Sequence, residues 1–307
     1  MRQIFPYKMA CNPSLISWGG NMSISCVVCG HVEGTVVLEY TTPDVYEQKV
    51  GITSENYWRK WICCSNCGMY RSEFSRDSEI LHTIYEKDYR ASGTEWRKNS
   101  VEELFLRIIK IPPAESETHF RVDWLFHSLT ILSKAQLCAL SEKPKLLDVG
   151  GASGVFSYAM KERDFDVDII DPSLDGDFVK KYGIGYQQGY FGTVTMPKEK
   201  YNVISFLYVL EHLADPSDIL STCKSALERG GVLFLELPDA SAFRISPSDH
   251  DAFNACHLWL FGAAQITDLL RRKGFSVLSL QRYITVRGYP SMMVIAGHTE
   301  DIDGFDK

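Results

Sequence analysis

Short apolar runs alternate with helix-like segments along the second half of the chain. The apolar runs lie at 146–149, 165–170 and 201–207, and the segment 155–163 between the first two has helical spacing. Apolar runs of this length that alternate with helical segments are typical of βαβ units. The pattern therefore predicts an α/β fold with a mostly parallel sheet and helices on both of its faces.

Further segments extend this pattern in both directions. Two runs near the end of the chain, 275–280 and 291–297, predict strands that complete the sheet as a hairpin. Two β-like runs near its beginning, 35–40 and 57–62, predict a ribbon. Helical spacing of apolar residues predicts helices at 78–90, 101–111, 120–139 and 263–273.

A glycine-rich turn follows the first of the three apolar runs. Its pattern is Asp148-x-Gly150-x-Ala152-x-Gly154, and Gly151 adds a further glycine. In open α/β sheets ligands bind at such a loop, outside the carboxyl end of the strand, and glycines let the backbone turn sharply there. A dinucleotide fingerprint would read G-x-G-x-x-G, whereas the acid here suits a ligand that carries an ammonium group. The alternative is an ordinary turn between a strand and a helix.

Three later motifs indicate the same kind of site. Asp171, followed by Pro172, ends the second apolar run and lies 21 positions after Gly150 (171 − 150). An acid at this spacing accepts hydrogen bonds from ribose hydroxyls. The third run continues into the sequence L-E-H-L-A-D-P at 210–216, and a Gly-Gly pair at 230–231 precedes another apolar run.

In this order the four motifs resemble those of the class I S-adenosyl-L-methionine (SAM)-dependent methyltransferases. The resemblance covers roughly residues 120–307 and implies a Rossmann-like core with a seven-stranded, mostly parallel sheet. Ala152 departs from the pattern, because the family has a glycine at this position. The SAM-binding residues that the resemblance implies are Asp148, Gly150, Gly151, Gly154, Asp171, Pro172, Leu207, Tyr208 and Glu211.

Four of the nine cysteines form two C-x-x-C pairs, Cys26 with Cys29 and Cys64 with Cys67. Two such pairs supply four thiolates, which suit a tetrahedral Zn²⁺ ion, and four protein ligands leave no open position, so we expect a structural zinc. The alternative is four unrelated buried cysteines. A thioredoxin-type redox site would need a βαβ context that neither pair has. Cys63 is a competing ligand that fits the spacing less well.

These motifs divide the chain into four parts. We predict an N-terminal tail at 1–22, a zinc ribbon at 23–76, a helical linker or lid at 77–119 and the methyltransferase core at 120–307. The combination resembles the zinc-ribbon small-molecule methyltransferases, which include sugar C-methyltransferases that act on nucleotide-linked deoxysugars. Those enzymes carry a further C-terminal domain, and this chain ends too soon to contain it. The resemblance therefore implies SAM-dependent methyl transfer to a small biosynthetic metabolite, with a sugar nucleotide as one candidate.

Four residues are candidates for the catalytic chemistry. The resemblance places a general base at His257, although Cys256 stands where the sugar enzymes have a glutamate; the alternative is a histidine that packs and caps a helix. His212 is a second candidate base, with a role beside the cofactor as its alternative. Tyr85 and Tyr89 lie where the family's linker covers the acceptor, and core packing is their alternative.

The composition of the chain argues against nucleic acids and membranes as partners. The net charge of −7 argues against nucleic acid, since phosphate binding requires a basic face. The chain has no apolar run of the roughly 20 residues that span a bilayer and no signal-peptide pattern at its start, so we expect a cytoplasmic protein without membrane partners.

Two other functions remain open. The first is a zinc-ribbon RNA methyltransferase, against which stand the acidic balance and the absence of an N/D-P-P-Y/F motif. The second is a non-catalytic SAM-fold binding protein, against which stands the intact set of glycines and acids. The sequence leaves open the acceptor, whether carbon, oxygen or nitrogen is methylated, and the oligomeric state.

Overall fold

The structure is a computed structural model in which residues 24–75, 84, 100–151, 153–172 and 176–302 are described. The predicted tail at 1–22, most of the predicted helix at 78–90, Ala152 and the candidate residues Tyr85 and Tyr89 lie outside these residues.

The described residues form eleven strands. They are β1 (Gly34–Tyr40), β2 (Arg59–Cys64), β3 (Tyr70–Phe74), β4 (Lys145–Val149), β5 (Asp166–Asp171), β6 (Gly185–Gln188), β7 (Tyr201–Leu207), β8 (Leu227–Pro238), β9 (Trp259–Leu260), β10 (Phe275–Ile284) and β11 (Pro290–His298).

The α-helices of the described residues are α1 (Val45–Lys49), α2 (Val101–Ile108), α3 (Glu117–Lys134), α4 (Val155–Lys161), α5 (Pro216–Ala226), α6 (Ala242–Ile245), α7 (Ala263–Arg272) and α8 (Thr299–Ile302). Short 3₁₀ turns occur at Pro113–Glu115, Gly176–Tyr182, Leu210–His212 and Asp251–Phe253. No helix among the described residues combines the length and the apolar character that crossing a membrane requires.

Seven strands form the large sheet, in the order β10-β11-β8-β7-β4-β5-β6. Strands β4 to β8 pair in parallel, and β11 is antiparallel to both of its neighbours. Successive side chains of a strand face opposite sides of the sheet, so Val203 packs into one apolar cluster and Ile204 into another. The predicted Rossmann-like fold is confirmed, including the hairpin of β10 and β11.

Some elements differ from the sequence prediction in their bounds. Strand β8 begins at Leu227, ahead of the Gly-Gly pair that was expected to turn into it. Gly230 has a φ of 74° within this strand, and an added Cβ would lie 2.8 Å from the Cβ of Ala139. Helix α3 ends at Lys134, five residues earlier than predicted, because Gln136 takes a left-handed φ of 60°.

The N-terminal ribbon shares its sheet with the core. The second sheet has the order β1-β2-β3-β9, in which β9 comes from the region after β8. Tyr70 pairs with Leu260, and Arg71 pairs with Trp259. A side-chain bond from Gln265 to the carbonyl of Cys67, 2.5 Å long, adds a contact between α7 and a cysteine knuckle. The predicted boundary at residue 76 remains a prediction, but backbone pairing links the segments on either side of it.

A buried ion pair connects α3 to the large sheet. The Nη2 atom of Arg121 donates to Oε1 of Glu236 at 2.8 Å, and its Nε atom donates to the other carboxylate oxygen. The hydroxyl of Tyr283 donates to the same carboxylate. Glu236 is buried within the apolar part of β8, between Leu235 and Leu237. The guanidinium of Arg121 therefore compensates a charge that would be costly to bury alone.

We expect Arg121→Ala to lower the free energy of unfolding by about 3–5 kcal/mol, because it leaves the carboxylate of Glu236 buried without its charged partner. Asp123 provides a matched control on the same helix, since it forms an exposed ion pair with Arg163. Asp123→Ala should cost about 1 kcal/mol or less. Urea unfolding with a common m-value measures both changes, and equal losses in the two variants would contradict this assignment.

Candidate functional site

The four cysteines of the two C-x-x-C pairs come together in the structure. Their sulfur atoms all lie within 4.8 Å of one another. The sulfur of Cys26 is 3.4 Å from that of Cys67, and the sulfur of Cys29 is 3.6 Å from that of Cys64. A tetrahedral zinc site with Zn–S bonds of about 2.3 Å has sulfur–sulfur edges of about 3.8 Å. The cluster therefore fits a four-thiolate metal site.

Each cysteine pair is held by a tight knuckle. The amide of Gly30 donates to the carbonyl of Cys26 at 2.8 Å, and the amide of Gly68 donates to that of Cys64 at 2.9 Å. Both glycines have a φ near 70°, a conformation that glycine adopts readily. Cys63 is not part of the cluster.

The glycine-rich loop after β4 is held against the end of β5. The amide of Gly150 donates to the carbonyl of Ile170 at 2.7 Å, and Gly150 and Gly154 have φ angles of 70° and 69°. An added Cβ at Gly151 would lie 2.7 Å from Oδ2 of Asp148. The loop thus needs glycine for its left-handed turns and for its close approach to the carboxylate.

Asp148 stabilises this loop through buried hydrogen bonds. Its side chain is buried, and its two oxygens accept hydrogen bonds from Ser157 at 2.7 Å and from Ser205 at 2.8 Å. Burial raises the pKa of Asp148 to about 6. These bonds tie β4 to α4 and to β7, so the acid holds the loop in place; its predicted contact with a cofactor remains a prediction.

The other predicted cofactor residues lie at the same edge of the sheet. Asp171 ends β5 and Leu207 ends β7, and both strands flank β4 in parallel. Asp171 is buried and Pro172 is exposed. Because the carboxyl ends of parallel strands meet at one edge, the structure gathers these residues around the loop at 150–154.

Tyr208 turns the chain away from β7 in an unusual conformation. Its φ is 56°, a left-handed value that is uncommon for a residue with a side chain. Its amide donates to the carbonyl of Glu236 at 2.8 Å, and its hydroxyl lies 2.7 Å from that of Ser291. Such strained residues persist where the surrounding structure holds them, often at functional sites.

A second cluster of chemically active side chains follows this turn, and we call it the Glu–His–His cluster. One ligand atom each of Glu211, His212 and His257 lies within 4.8 Å of the others. The two imidazole rings are 4.7 Å apart between centroids. The structure thus brings together three residues that the sequence had assigned to two separate motifs.

Backbone carbonyls orient both histidine rings. The Nδ1 atom of His212 lies 2.9 Å from the carbonyl oxygen of Cys256, and that of His257 lies 2.8 Å from the carbonyl oxygen of Ala252. A carbonyl can only accept, so Nδ1 carries the hydrogen in each ring. The carbonyl of Ala252 therefore orients His257, whereas the sugar enzymes have a glutamate in place of the neighbouring Cys256.

Burial controls the charge of the cluster. It lowers the pKa of His257 to about 4 and, together with the neighbouring His257, that of His212 to about 3. Burial also raises the pKa of Glu211 to about 8, and the negative charge of Glu236 adds to this effect. Both imidazoles are therefore neutral near pH 7 and keep a lone pair on Nε2.

The ribbon fixes the chain segment that leads to His257. The hydroxyl of Tyr40 donates to the carbonyl of Ser248 at 2.5 Å, and the amide of Ala255 donates to Oδ2 of Asp44 at 2.6 Å. The buried guanidinium of Arg59 donates to the carbonyl of Phe253. The N-terminal ribbon thereby reaches one side of the Glu–His–His cluster.

Sequence reasoning missed Arg59, Arg121 and Glu236. The available signal for Glu236 is a carboxylate within the apolar run of β8, which demands a buried partner. The signal for Arg59 is weaker, because a basic residue at the start of a predicted strand is common on protein surfaces. The structure places Arg59 in the interior, with an exposed fraction of 2%.

Comparison with known proteins matches the chain to methyltransferases. A protein-family model described as "Methyltransferase domain" matches residues 119–280, more than half of the chain. A ubiquinone biosynthesis O-methyltransferase of Actinobacillus pleuropneumoniae serotype 7 is 33% identical over 102 residues, which cover 29% of this chain and 44% of that protein. A probable S-adenosylmethionine-dependent methyltransferase of Mycolicibacterium smegmatis is 30% identical over 94 residues, or 31% of this chain and 36% of that protein. The chain thus matches less than half the length of either relative.

A solved structure shows the same fold. It is the 1,6-didemethyltoxoflavin-N1-methyltransferase of Burkholderia thailandensis with bound 1,6-didemethyltoxoflavin and S-adenosylhomocysteine. The match has a TM-score of 0.50 at 12% sequence identity and covers 76% of this chain and 96% of that one. On the extent of the family match, together with this fold, the chain belongs to the methyltransferase domain family.

Proposed function

We propose that this protein transfers a methyl group from SAM to a small-molecule acceptor, and that the histidine pair His212 and His257 assists removal of the acceptor's proton. The observation that carries the proposal is the position of the Glu–His–His cluster. It begins three residues after Tyr208, at the carboxyl edge of the sheet where the glycine loop and Asp171 lie.

The part of the site around the glycine loop and Asp171, here called the donor half, fits the chemistry of SAM. SAM supplies a methyl group on a positively charged sulfonium, which is already activated for transfer. Asp171 offers a carboxylate beside the glycine loop, at the position where an acid accepts hydrogen bonds from ribose hydroxyls. Gly150, Gly151 and Gly154 have no side chain that would keep a ligand away from the backbone. Leu207 and Tyr208 at the end of β7, and Pro172 after β5, lie at the same edge of the sheet.

The part around Glu211, His212 and His257, here called the acceptor half, fits an acceptor group that must lose a proton. A neutral imidazole with a lone pair on Nε2 is able to receive one, and both histidines have this form in the described structure. The carbonyls of Cys256 and Ala252 fix the rings. The side-chain amide of Asn254 lies 3.4 Å from Nε2 of His257, so an acceptor would displace this contact at His257. The relatives named above include an enzyme of ubiquinone biosynthesis, which supports a biosynthetic metabolite as the acceptor.

A structural zinc in the four-cysteine cluster completes the proposal. Cys26, Cys29, Cys64 and Cys67 would hold the ion and leave no coordination position for a substrate. The metal would stabilise the ribbon, which holds the segment before His257 through Arg59. The zinc therefore contributes to the geometry of the acceptor site without taking part in the reaction.

We expect Asp171→Ala to weaken SAM binding about 10–100-fold, because it removes hydrogen bonds to a charged acceptor worth about 1.5–3 kcal/mol. Isothermal titration calorimetry with SAM measures the change. Asp166→Ala is the matched control, since Asp166 is exposed at the opposite end of the same strand. Equal affinities of the Asp171 variant and the wild type would contradict the assignment.

We expect Cys67→Ser to lose one zinc ion per chain relative to the wild type and to lower the melting temperature, because three thiolates bind zinc more weakly than four. Cys63→Ser should retain the wild-type zinc content, since Cys63 lies outside the cluster. Inductively coupled plasma mass spectrometry and thermal unfolding measure both. Loss of zinc in the Cys63 variant would assign the wrong ligand set.

We expect His257→Ala to lower turnover at least 100-fold while SAM affinity stays within twofold of the wild type, because general acid–base assistance contributes about 10²–10⁴-fold. The assay follows S-adenosylhomocysteine formation with a panel of small hydroxyl, amine and carbon acceptors. His127→Ala is the control, since His127 is an exposed histidine on α3. A His257 variant with unchanged turnover on the accepted substrate would remove this role.

A further inference from the structure

We propose that Glu211, His212 and His257 form a second metal site, distinct from the four-cysteine cluster, which binds one divalent transition-metal ion. The part of this inference that concerns the acceptor rests on the proposed function; the binding of the ion does not.

The donor atoms of the three side chains converge on one point. The three side chains supply one carboxylate and two imidazole ligand atoms within 4.8 Å of one another. The Nε2 atom of His212 is 3.9 Å from Oε1 of Glu211. Metal–ligand bonds of about 2.0–2.2 Å place neighbouring donors roughly 3–4 Å apart. The cluster therefore has the dimensions of a metal site that needs only small side-chain shifts.

Both histidine rings have the orientation of metal ligands. Metal-binding histidines almost always donate their other ring N–H to a carbonyl or carboxylate, which fixes the ring and the tautomer. His212 and His257 both use Nδ1 in this way, toward the carbonyls of Cys256 and Ala252. Nε2 is then the ligating atom of each ring, and at His257 the ion would replace a 3.4 Å contact with the side-chain amide of Asn254. Two independent rings thus have the outer-shell bond that a metal ligand requires.

The carboxylate of Glu211 is buried beside the two histidines. The residue has an exposed fraction of 0%, and neither of its side-chain oxygens has a hydrogen-bond partner among the described residues. In that part of the chain, His212 is the one basic side chain within ion-pair distance of it. A buried carboxylate without partners is strongly unfavourable. A bound cation would satisfy both its charge and its lone pairs.

The donor set also selects the class of ion. Mg²⁺ and Ca²⁺ prefer oxygen ligands, whereas imidazole suits Zn²⁺, Fe²⁺, Co²⁺ and related ions. Two histidines and one carboxylate favour the second group. Three protein ligands leave at least one position for water or for a substrate oxygen, in contrast to the closed four-cysteine site.

The position of the site gives the ion a use in methyl transfer. The bound ion would coordinate the hydroxyl oxygen of an acceptor and lower the pKa of that hydroxyl. The proton leaves to solvent water, the oxygen forms a bond to the methyl carbon, and the bond between that carbon and the SAM sulfur breaks. In this arrangement the two histidines assist proton removal through the ion. The acceptor is then a small molecule with a hydroxyl oxygen that is able to bind a metal.

The experiment titrates Co²⁺ into the full chain after its four-cysteine site has been loaded with zinc. Calorimetry gives the stoichiometry, and visible absorption shows whether the ligands include thiolates. We expect one Co²⁺ per chain with a d–d spectrum and no thiolate-to-metal charge-transfer band. Glu211→Gln and His257→Gln should each weaken Co²⁺ binding at least tenfold, since loss of an outer-shell partner alone costs about 10–100-fold.

His127→Gln is the control and should bind Co²⁺ as the wild type does, because it removes an exposed histidine far from the cluster in sequence. Retained zinc and an unchanged melting temperature in Glu211→Gln show that this variant is folded, so the test stands even if His257→Gln does not fold. Absence of Co²⁺ binding in the wild type, binding that survives Glu211→Gln, or binding only with a thiolate band would overturn the inference.

A SAM titration of the same wild-type sample separates the two proposals. SAM binding without Co²⁺ binding would overturn the second metal site and leave the proposed function intact. Co²⁺ binding at Glu211 without SAM binding would support the metal site and remove the methyltransferase proposal on which its use depends.

Discussion

The burial of Arg59 is the constraint on which the arrangement of this protein depends. Its guanidinium lies between the ribbon and the core, 4.0 Å from the ring centroid of Tyr40, and it donates to the carbonyl of Phe253. A buried cation must find acceptors, and Asp44, 3.9 Å away, adds a negative charge. These contacts hold the chain just before His257. The ribbon is therefore joined to the segment that carries His257, both by these contacts and by the pairing of β3 with β9.

The proposed site combines a donor half around the glycine loop with an acceptor half around Glu211, His212 and His257. Parallel pairing of β4 with β5 and β7 places the glycine loop, Asp171 and Leu207 at one edge. Asp148 locks this edge through Ser157 and Ser205. The chain then leaves β7 through the left-handed Tyr208 and delivers Glu211 and His212 to the same side. Glycines and buried hydrogen bonds fix the donor half, whereas the acceptor half depends on contacts between distant segments.

The strands and the glycine loop could be predicted because their signals are local. The apolar run at 201–207 matches β7 without an error at either end, and the spacing of the two C-x-x-C pairs predicted the sulfur cluster correctly as a group of neighbours. The predicted start of β8 was wrong by several residues, since Gly230 and Gly231 read as a turn. In the structure they form an irregular part of the strand between the paired residues Leu227 and Val232. The ion pair of Arg121 with Glu236 could not be predicted, because nothing near either residue specifies its partner.

The sequence by itself determined the fold class, the family, the glycine loop and the four-cysteine group, because each of these depends on periodicity or on spacing within a short segment. Only the tertiary structure decided that Glu211 and His212 meet His257, that carbonyls rather than a glutamate orient the two rings, and that Arg59 is buried against Phe253. These contacts join residues far apart in the chain. They arise because strand order and the burial of charge bring such residues together, and neither leaves a local pattern in the sequence.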